Sequence, residues 1–173
     1  YLVINLAYSV RLKHVAFVDV ALVASGFILR VLGGAAAIGV PASRWLLVCT
    51  GLLAMLLGLG KRAHELAWAA RTGSAGTTRA ALAGYRLPVV RVLLAVLALA
   101  TGAAYVAYTL DPQTVAFFHT DRLAWTVPFP LVGIGRFLWL AVWRPTDDSP
   151  TEAMLRDLPF LANLAAWAAV VIW

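Results

Sequence analysis

The chain has 173 residues, of which 62% are hydrophobic and 13% are charged, whereas soluble domains carry roughly 25% charged residues. This composition excludes an ordinary soluble domain and predicts an integral membrane protein. The formal net charge of +6 is concentrated in a few connections and follows no RNA- or DNA-binding pattern, so nucleic acid is not an expected partner. The single cysteine, Cys49, has no intrachain partner for a disulfide.

The first apolar run, Tyr1 to Val10, is about half as long as the roughly 20 residues that a helix needs to cross a bilayer. It shows neither the basic n-region nor the small-residue cleavage site of a signal peptide. We interpret it as a truncated first helix, and the chain as a fragment whose N-terminal helices precede residue 1.

Five further apolar segments follow in chain order. They cover approximately residues 15–40, 45–70, 88–110, 123–143 and 159–173. Each is uniformly apolar rather than alternating, and lipid-exposed spans must be helices or closed barrels. The sequence therefore predicts an all-α transmembrane bundle, a single domain with about five full spans plus the truncated first helix. Pro128 and Pro130 are expected to delay or kink the fourth of these segments.

The basic residues are distributed unequally between the two ends of the predicted spans. One set of connections holds Arg11, Lys13, Lys61, Arg62, Arg71, Arg79, Arg86, Arg144 and Arg156, and the other holds Arg44 and Arg122. The positive-inside rule places the first set in the cytoplasm, which needs no substrate as an explanation. Residues 71–86 and 144–158 then form cytoplasmic loops, and the capping box Ser149-Pro150-Thr151-Glu152 predicts a short surface helix to about Arg156 in the second loop.

Asp19, Arg30 and Arg136 are charged residues within apolar segments. Asp19 and Arg30 are eleven residues apart, which places them on one helical face about 16 Å apart along the axis. Because a charge in lipid costs roughly 2.5 to 3.5 kcal/mol on insertion scales, Arg30 is expected to face the bundle interior or a wet cavity. The alternative is a structural Arg bonded to a neighbouring helix. Arg136, about 12 Å inside Arg144 along the helix, is expected to be structural.

The segment "GLGKRAHEL" concentrates polar side chains within one helical turn. Lys61 and Glu65 share a face with His64 beside them, while Arg62 points about a quarter-turn away. Two cations, an imidazole and a carboxylate can together bind a phosphate and a divalent metal ion. A helix-end salt bridge, with cations complementing the macrodipole, is the alternative.

Four stretches in this order resemble a known family: "AYSVRLKH", "SGFILRVLGG", "GKRAHEL" and "SPTEAMLRD". They are similar to the later part of the nine-helix UbiA superfamily of intramembrane prenyltransferases, in particular to its decaprenyl-phosphate phosphoribosyltransferase branch. Ordinary members carry Asp-x-x-x-Asp at the second polar motif. This chain has Lys-Arg-x-x-Glu there, which favours the phosphoribosyl branch over prenyl transfer to an aromatic acceptor in quinone or haem biosynthesis.

The resemblance implies a specific reaction in the plasma membrane. Such enzymes transfer a 5-phosphoribosyl group from phosphoribosyl diphosphate to a polyprenyl phosphate, with magnesium, in a cavity open to cytoplasm and lipid, for cell-wall arabinan synthesis. The family's Tyr-x-x-x-x-Lys stretch falls on Tyr8 and Lys13. Cations at the membrane boundary suit this chemistry, because a diphosphate leaves while a lipid phosphate approaches.

The resemblance and the charge pattern together give a set of expected site residues. Substrate-binding residues are expected to be Tyr8, Lys13, Arg30, Lys61 and Arg62, and magnesium ligands Glu65 and Asp19. Tyr8 is expected to orient the sugar, and Lys13, Lys61 and Arg62 to contact phosphate groups. The family's Asn-Asp-x-x-Asp-x-x-x-Asp motif is absent from this chain, so the 173-residue chain alone is expected to lack measurable transferase activity.

Two other classes of function stay open at this point. A transporter would use the membrane-embedded Arg residues as a substrate path, but no internal repeat is visible between the halves. A non-enzymatic membrane scaffold would use the basic residues only as anchors, and these would then be interchangeable. A homo-oligomer is compatible with each of these readings.

Overall fold

The computed structural model describes residues 17–73, 84–120, 122–144 and 149–172. Throughout these residues the secondary structure is helical, without a strand, which confirms the predicted all-α fold. Several predicted features lie outside the described residues: the truncated helix at 1–10, Tyr8, Lys13, most of the 71–86 loop, and the first part of the 144–158 loop.

Seven α-helices are present in the described residues. They are α1 (Val18–Ala37), α2 (Arg44–Thr72), α3 (Leu87–Leu110), α4 (Pro112–Phe118), α5 (Pro128–Leu138), α6 (Pro150–Leu155) and α7 (Leu158–Ile172). A 3-10 turn, Arg122–Thr126, precedes α5, and a π-helical turn, Trp139–Trp143, follows it. The short helix α4 was not predicted from the sequence.

Four spans are long and apolar enough to cross a membrane: α1, α2, α3 and the continuous stretch Arg122–Trp143 that contains α5. The helix α7 has 15 residues and is shorter than the roughly 20 residues of a typical span. The chain is thus a multi-pass membrane protein with four full-length spans in the described residues and a shorter fifth apolar helix, where five full spans were predicted.

The helix ends follow from local sequence. Gly73 ends α2 with a φ of 69°, a left-handed conformation that glycine adopts without strain. The predicted capping box is confirmed: the Ser149 side chain accepts from the Glu152 N–H, and the Glu152 carboxylate accepts from the Ser149 N–H. The two prolines, Pro128 and Pro130, do delay the fourth span, because the regular α-helix begins only at Pro128, after the 3-10 turn.

The long helix α2 lies at the centre of the bundle and packs against both α1 and α3, while α5 packs against α7 and α3. The buried core concentrates near the end of the bundle where α2 finishes and α3 begins. Its members are Val20, Leu56, Leu59, Ala63, Tyr85, Val90, Leu94, Phe137, Leu140, Ala141, Val142 and Met154. We term this end the basic end, because it carries Lys61, Arg62, Arg71 and Arg86.

Candidate functional site

Four polar side chains meet inside the basic end of the bundle, and we term them the polar cluster: Asp19, Arg62, Glu65 and Tyr85. Arg62 Nε lies 3.2 Å from Asp19 Oδ2, and Arg62 Nη1 donates to Glu65 Oε2 at 2.5 Å. The Arg62 and Asp19 side chains are only 9% and 4% exposed. Because removal of one partner from a buried ion pair costs about 3–5 kcal/mol, the cluster joins α1 firmly to α2.

Tyr85 adds the segment before α3 to the same cluster. Its hydroxyl donates to Asp19 Oδ1 at 2.6 Å and accepts from the Phe17 N–H at 2.7 Å. Its ring packs on that of Phe17 with centroids 4.6 Å apart. Burial, followed by the hydrogen bond to Asp19, raises the pKa of Tyr85, so the hydroxyl stays protonated and can donate at neutral pH. Tyr85 thereby connects three helices at one point.

The pairing within "GLGKRAHEL" differs from the prediction. Glu65 bonds Arg62, which was expected to point away from it, whereas Lys61 is exposed. The reason is that Arg62 faces Asp19 on α1, a partner that the α2 sequence alone does not reveal. The predicted alternative, a salt bridge near the helix end, is therefore present, and Lys61 remains the outward cation of this turn.

Asp19 and Arg30 do not share a buried environment, although they share a helical face. Asp19 is 3% exposed, whereas Arg30 is exposed on the described bundle, with its guanidinium carbon 5.4 Å from the centre of the Phe27 ring. The expected burial of Arg30 is thus not seen in this part of the chain. Asp19 is covered because Tyr85 and Arg62 reach it, while a Cβ added at Gly26 or Gly33 on the same stripe would meet nothing within 4 Å.

Arg136 has the structural role expected of it. It donates from Nε and Nη2 to the two carboxylate oxygens of Asp157 at 2.8 and 2.7 Å. Asp157 Oδ2 also accepts from the Phe160 N–H at 3.0 Å, which caps the first turn of α7. The guanidinium of Arg136 holds the pKa of Asp157 below its ordinary value. This pair ties α5 to the start of α7.

The expected magnesium ligands do not form a metal site within the described residues. Asp19 has Tyr85 on one oxygen and Arg62 on the other, and Glu65 is bound to the same Arg62. A guanidinium therefore stands between the two carboxylates. Among the described residues no group of three His, Cys, Asp or Glu side chains is placed to hold a metal ion. The donor set present here does not fit magnesium by itself.

An apolar cavity of about 410 Å³ lies between α2, α3, α5 and α7, within the 300–1,000 Å³ typical of ligand pockets. Its wall is formed by Cys49, Leu53, Leu56, Leu57, Thr101, Tyr105, Phe129, Pro130, Gly133, Ile134, Phe137, Met154, Phe160, Asn163, Leu164 and Trp167. Leu56 and Phe137 belong to this wall and also to the core that contains Tyr85. The cavity thus adjoins the basic end.

The polar groups of the cavity wall are largely used within the protein. Thr101 donates to the Leu97 carbonyl at 2.6 Å, and Asn163 Nδ2 donates to the Phe129 carbonyl at 2.9 Å. The hydroxyl of Tyr105 is 2.8 Å from that of Thr126. Because these hydrogen bonds are internal, the surface that the cavity offers is mainly hydrocarbon, which suits an apolar chain.

Tyr85 is the residue of the candidate site that the sequence did not reveal. Its partners, Asp19 and Phe17, are 66 and 68 positions away. The only local signal is an aromatic residue placed directly before an apolar segment. Such a residue is also typical of a membrane-interface anchor, so the sequence offers no way to choose between the two roles.

No family model matches the chain. Decaprenyl-phosphate phosphoribosyltransferases from Mycolicibacterium smegmatis, Corynebacterium glutamicum and Mycobacterium tuberculosis are 30%, 29% and 29% identical to it. Each alignment covers 99% of this chain, and 55%, 51% and 55% of the respective relative. The chain thus spans about half the length of the curated relatives that it matches.

These relatives match the branch that the four sequence stretches indicated, and the helical membrane architecture agrees with it. The resemblance of the chain to the decaprenyl-phosphate phosphoribosyltransferase branch of the UbiA superfamily is therefore confirmed over nearly its whole length.

Proposed function

We propose that the full-length protein transfers a 5-phosphoribosyl group from phosphoribosyl diphosphate to a polyprenyl phosphate, decaprenyl phosphate being the acceptor named for the relatives. The observation that carries this proposal is the alignment of 99% of the chain with three relatives of that name. The reaction forms a bond from the lipid phosphate oxygen to the anomeric carbon and releases diphosphate. Synthesis of a cell-wall arabinan precursor is the proposed purpose.

The basic end supplies the charge that this reaction needs. Two anions must approach one another, and fixed cations at the place where charge develops stabilise the transition state. Lys61 is exposed beside the buried polar cluster, so we assign it to a substrate phosphate. The roles of Lys13 toward phosphate and of Tyr8 toward the sugar remain proposals from the motif. The described residues do not complete a magnesium site, so these assignments rest on cations alone.

The apolar cavity provides a place for the lipid chain. It lies between four helices and is lined mainly by hydrocarbon, and it adjoins the core of the basic end through Leu56 and Phe137. A polyprenyl phosphate could therefore keep its chain among the helices while its phosphate lies near Lys61. The positive-inside rule places this end in the cytoplasm, where phosphoribosyl diphosphate would be available.

The direct test is transfer by the purified full-length protein in detergent, with phosphoribosyl diphosphate and decaprenyl phosphate as substrates. We expect Lys61→Ala to lower turnover by about 100-fold or more, the usual loss when one charge-stabilising donor is removed. Glu65→Gln should lower turnover as well, because Glu65 orients Arg62 beside Lys61. Arg71→Ala is the matched control, because Arg71 lies on the same helix but bonds the Trp143 carbonyl. Its turnover should stay close to wild type.

Two results would contradict the proposal. Wild-type protein that forms no phosphoribosyl lipid, but prenylates an aromatic acceptor, would show the other type of UbiA chemistry. Near-normal turnover in both Lys61→Ala and Glu65→Gln, with unchanged thermal unfolding, would remove these two residues from the site.

A further inference from the structure

Tyr85 contacts the strained backbone of Phe17 as well as the carboxylate of Asp19. Phe17, at the start of α1, has a φ of 65° and a ψ of −31°, a sparsely populated backbone conformation that costs a non-glycine residue about 1–3 kcal/mol. Such a conformation persists where its surroundings determine it. Here the Phe17 N–H donates to the Tyr85 hydroxyl, and the two rings pack together. Tyr85 therefore fixes where α1 begins.

Asp19 connects Tyr85 to α2. Its Oδ1 accepts from Tyr85 and its Oδ2 faces Arg62 Nε, so the carboxylate is oriented by both neighbours at once. Arg62 in turn donates to Glu65. The ion pair of Arg62 with Asp19 joins α2 to α1 and thereby sets the rotation of α2 at this level, whereas Glu65 lies on α2 itself.

The orientation of Arg62 determines the orientation of Lys61. Adjacent residues in an α-helix point about 100° apart. With Arg62 held inward against Asp19, Lys61 is directed out of the bundle, and it is exposed. The cation assigned to the substrate phosphate is thus placed indirectly by Tyr85.

We propose that Tyr85 and Asp19 are positioning residues that lock Arg62 inward so that Lys61 is presented to substrate, and that Asp19 is not a magnesium ligand. This inference rests on the proposed function. In this proposal the positive charge between the two carboxylates is the guanidinium of Arg62. The family resemblance had suggested a magnesium ion bound by these carboxylates. Substrate affinity would then depend on Tyr85 only weakly, and the rate of transfer strongly.

The test uses the full-length protein and the variant Tyr85→Phe, which removes one oxygen and keeps the ring on Phe17. We expect kcat to fall about tenfold, since small misplacements of a catalytic group are costly, while KM for phosphoribosyl diphosphate changes by less than about twofold. The magnesium concentration giving half-maximal rate should not move. Tyr108→Phe, near the other end of α3, is the matched control and should retain wild-type kcat.

Asp19→Asn separates positioning from metal binding. As a positioning residue it should lower kcat, and Tyr85→Phe added to it should cause little further loss, because both act through one hydrogen bond. Binding of Mn²⁺, measured by electron paramagnetic resonance, should equal that of wild type. Weaker Mn²⁺ binding with activity restored at high magnesium would overturn the proposal, as would a wild-type kcat in folded Tyr85→Phe protein.

Two further measurements cover the remaining outcomes. If Tyr85→Phe does not fold, the variant Arg62→Lys is tested instead, because Lys keeps the charge but lacks the planar geometry. An unchanged kcat in that variant would refute the proposal that Arg62 must be held inward. If wild-type protein shows no transfer, the proposed function is wrong. The polar cluster is then tested only through the melting temperature and the Mn²⁺ binding of the variants. Additive losses from Tyr85→Phe and Asp19→Asn in melting temperature would then refute the link between them.

Discussion

Lys61 and Arg62 are neighbours in the chain with opposite surroundings. Arg62 is 7% exposed and faces two carboxylates, whereas Lys61 is exposed. A buried charge needs paired partners, and an exposed one remains available to ligands. The same positive charge therefore stabilises helix packing at one position and is exposed at the next.

The pair of Arg136 and Asp157 gives a prediction at the same scale. Its hydrogen bonds hold the pKa of Asp157 below the ordinary value for an aspartate. The pair therefore contributes its full stability to the folded protein at any pH above that ordinary pKa. This stability is lost as the pH falls through the lowered pKa. As the pH falls below about 4, the ordinary pKa of an aspartate, the melting temperature of wild type should fall more steeply than that of Asp157→Asn.

Arg136→Gln provides the control for this titration. It removes the partner of Asp157, so it should flatten the same part of the pH profile, and the double variant should add nothing further. Identical acid profiles for wild type and Asp157→Asn would show that the pair does not contribute to acid stability.

Helix boundaries are the structural features that are most readily predicted from the sequence. The capping box at Ser149 and Glu152 and the delayed start at Pro128 depend on residues within one turn of each other, and both are present. The contacts of Tyr85 with Asp19 and Phe17 depend on how three helices pack. Local patterns carry no information about such distant pairs, which is why the polar cluster was only partly anticipated.

Close packing between α2 and α5 gives a prediction at the scale of these elements. A Cβ added at Gly60 would overlap the Phe137 ring, and Phe137 is 2% exposed. Overpacking of this kind costs about 1–3 kcal/mol. We expect Gly60→Ala to lower the temperature of thermal unfolding in detergent, and Phe137→Leu to restore part of the loss in the double variant.

Gly135→Ala is the matched control for Gly60→Ala. Gly135 lies in α5 beside Arg136, and a Cβ there meets nothing within 4 Å, so the change should be neutral or slightly stabilising through helix propensity. A Gly60→Ala variant as stable as Gly135→Ala would show that α5 can move away from α2 without cost.

At the scale of the whole molecule, composition and charge were enough to predict a helical membrane bundle with one basic end. Four of the apolar segments are long enough to be recognised alone, and most of the Lys and Arg residues lie at one end of them. The cavity could not be predicted in this way. Its wall combines residues as far apart as Cys49 and Trp167, which the packing of α2 against α3, and of α5 against α3 and α7, brings together.

The cavity leads to a prediction about chain length. A Cβ at Gly133 would lie 3.7 Å from Phe160 Cε2 and 3.8 Å from Asn163 Nδ2, so a larger side chain there would extend into the cavity. If the cavity holds the polyprenyl chain, Gly133→Leu should lower kcat/KM for decaprenyl phosphate about tenfold or more. A short-chain prenyl phosphate, which does not fill the cavity, should be used nearly as well as by wild type.

Gly135→Leu tests whether the effect comes from the cavity or from added bulk on α5. Gly135 does not line the cavity and is exposed, so its variant should treat both acceptors as wild type does. The decisive quantity is the ratio of kcat/KM for the two acceptors, because loss of folded protein lowers both values equally. An unchanged ratio in Gly133→Leu would mean that the chain lies elsewhere, since added bulk inside its own site must discriminate against the longer acceptor.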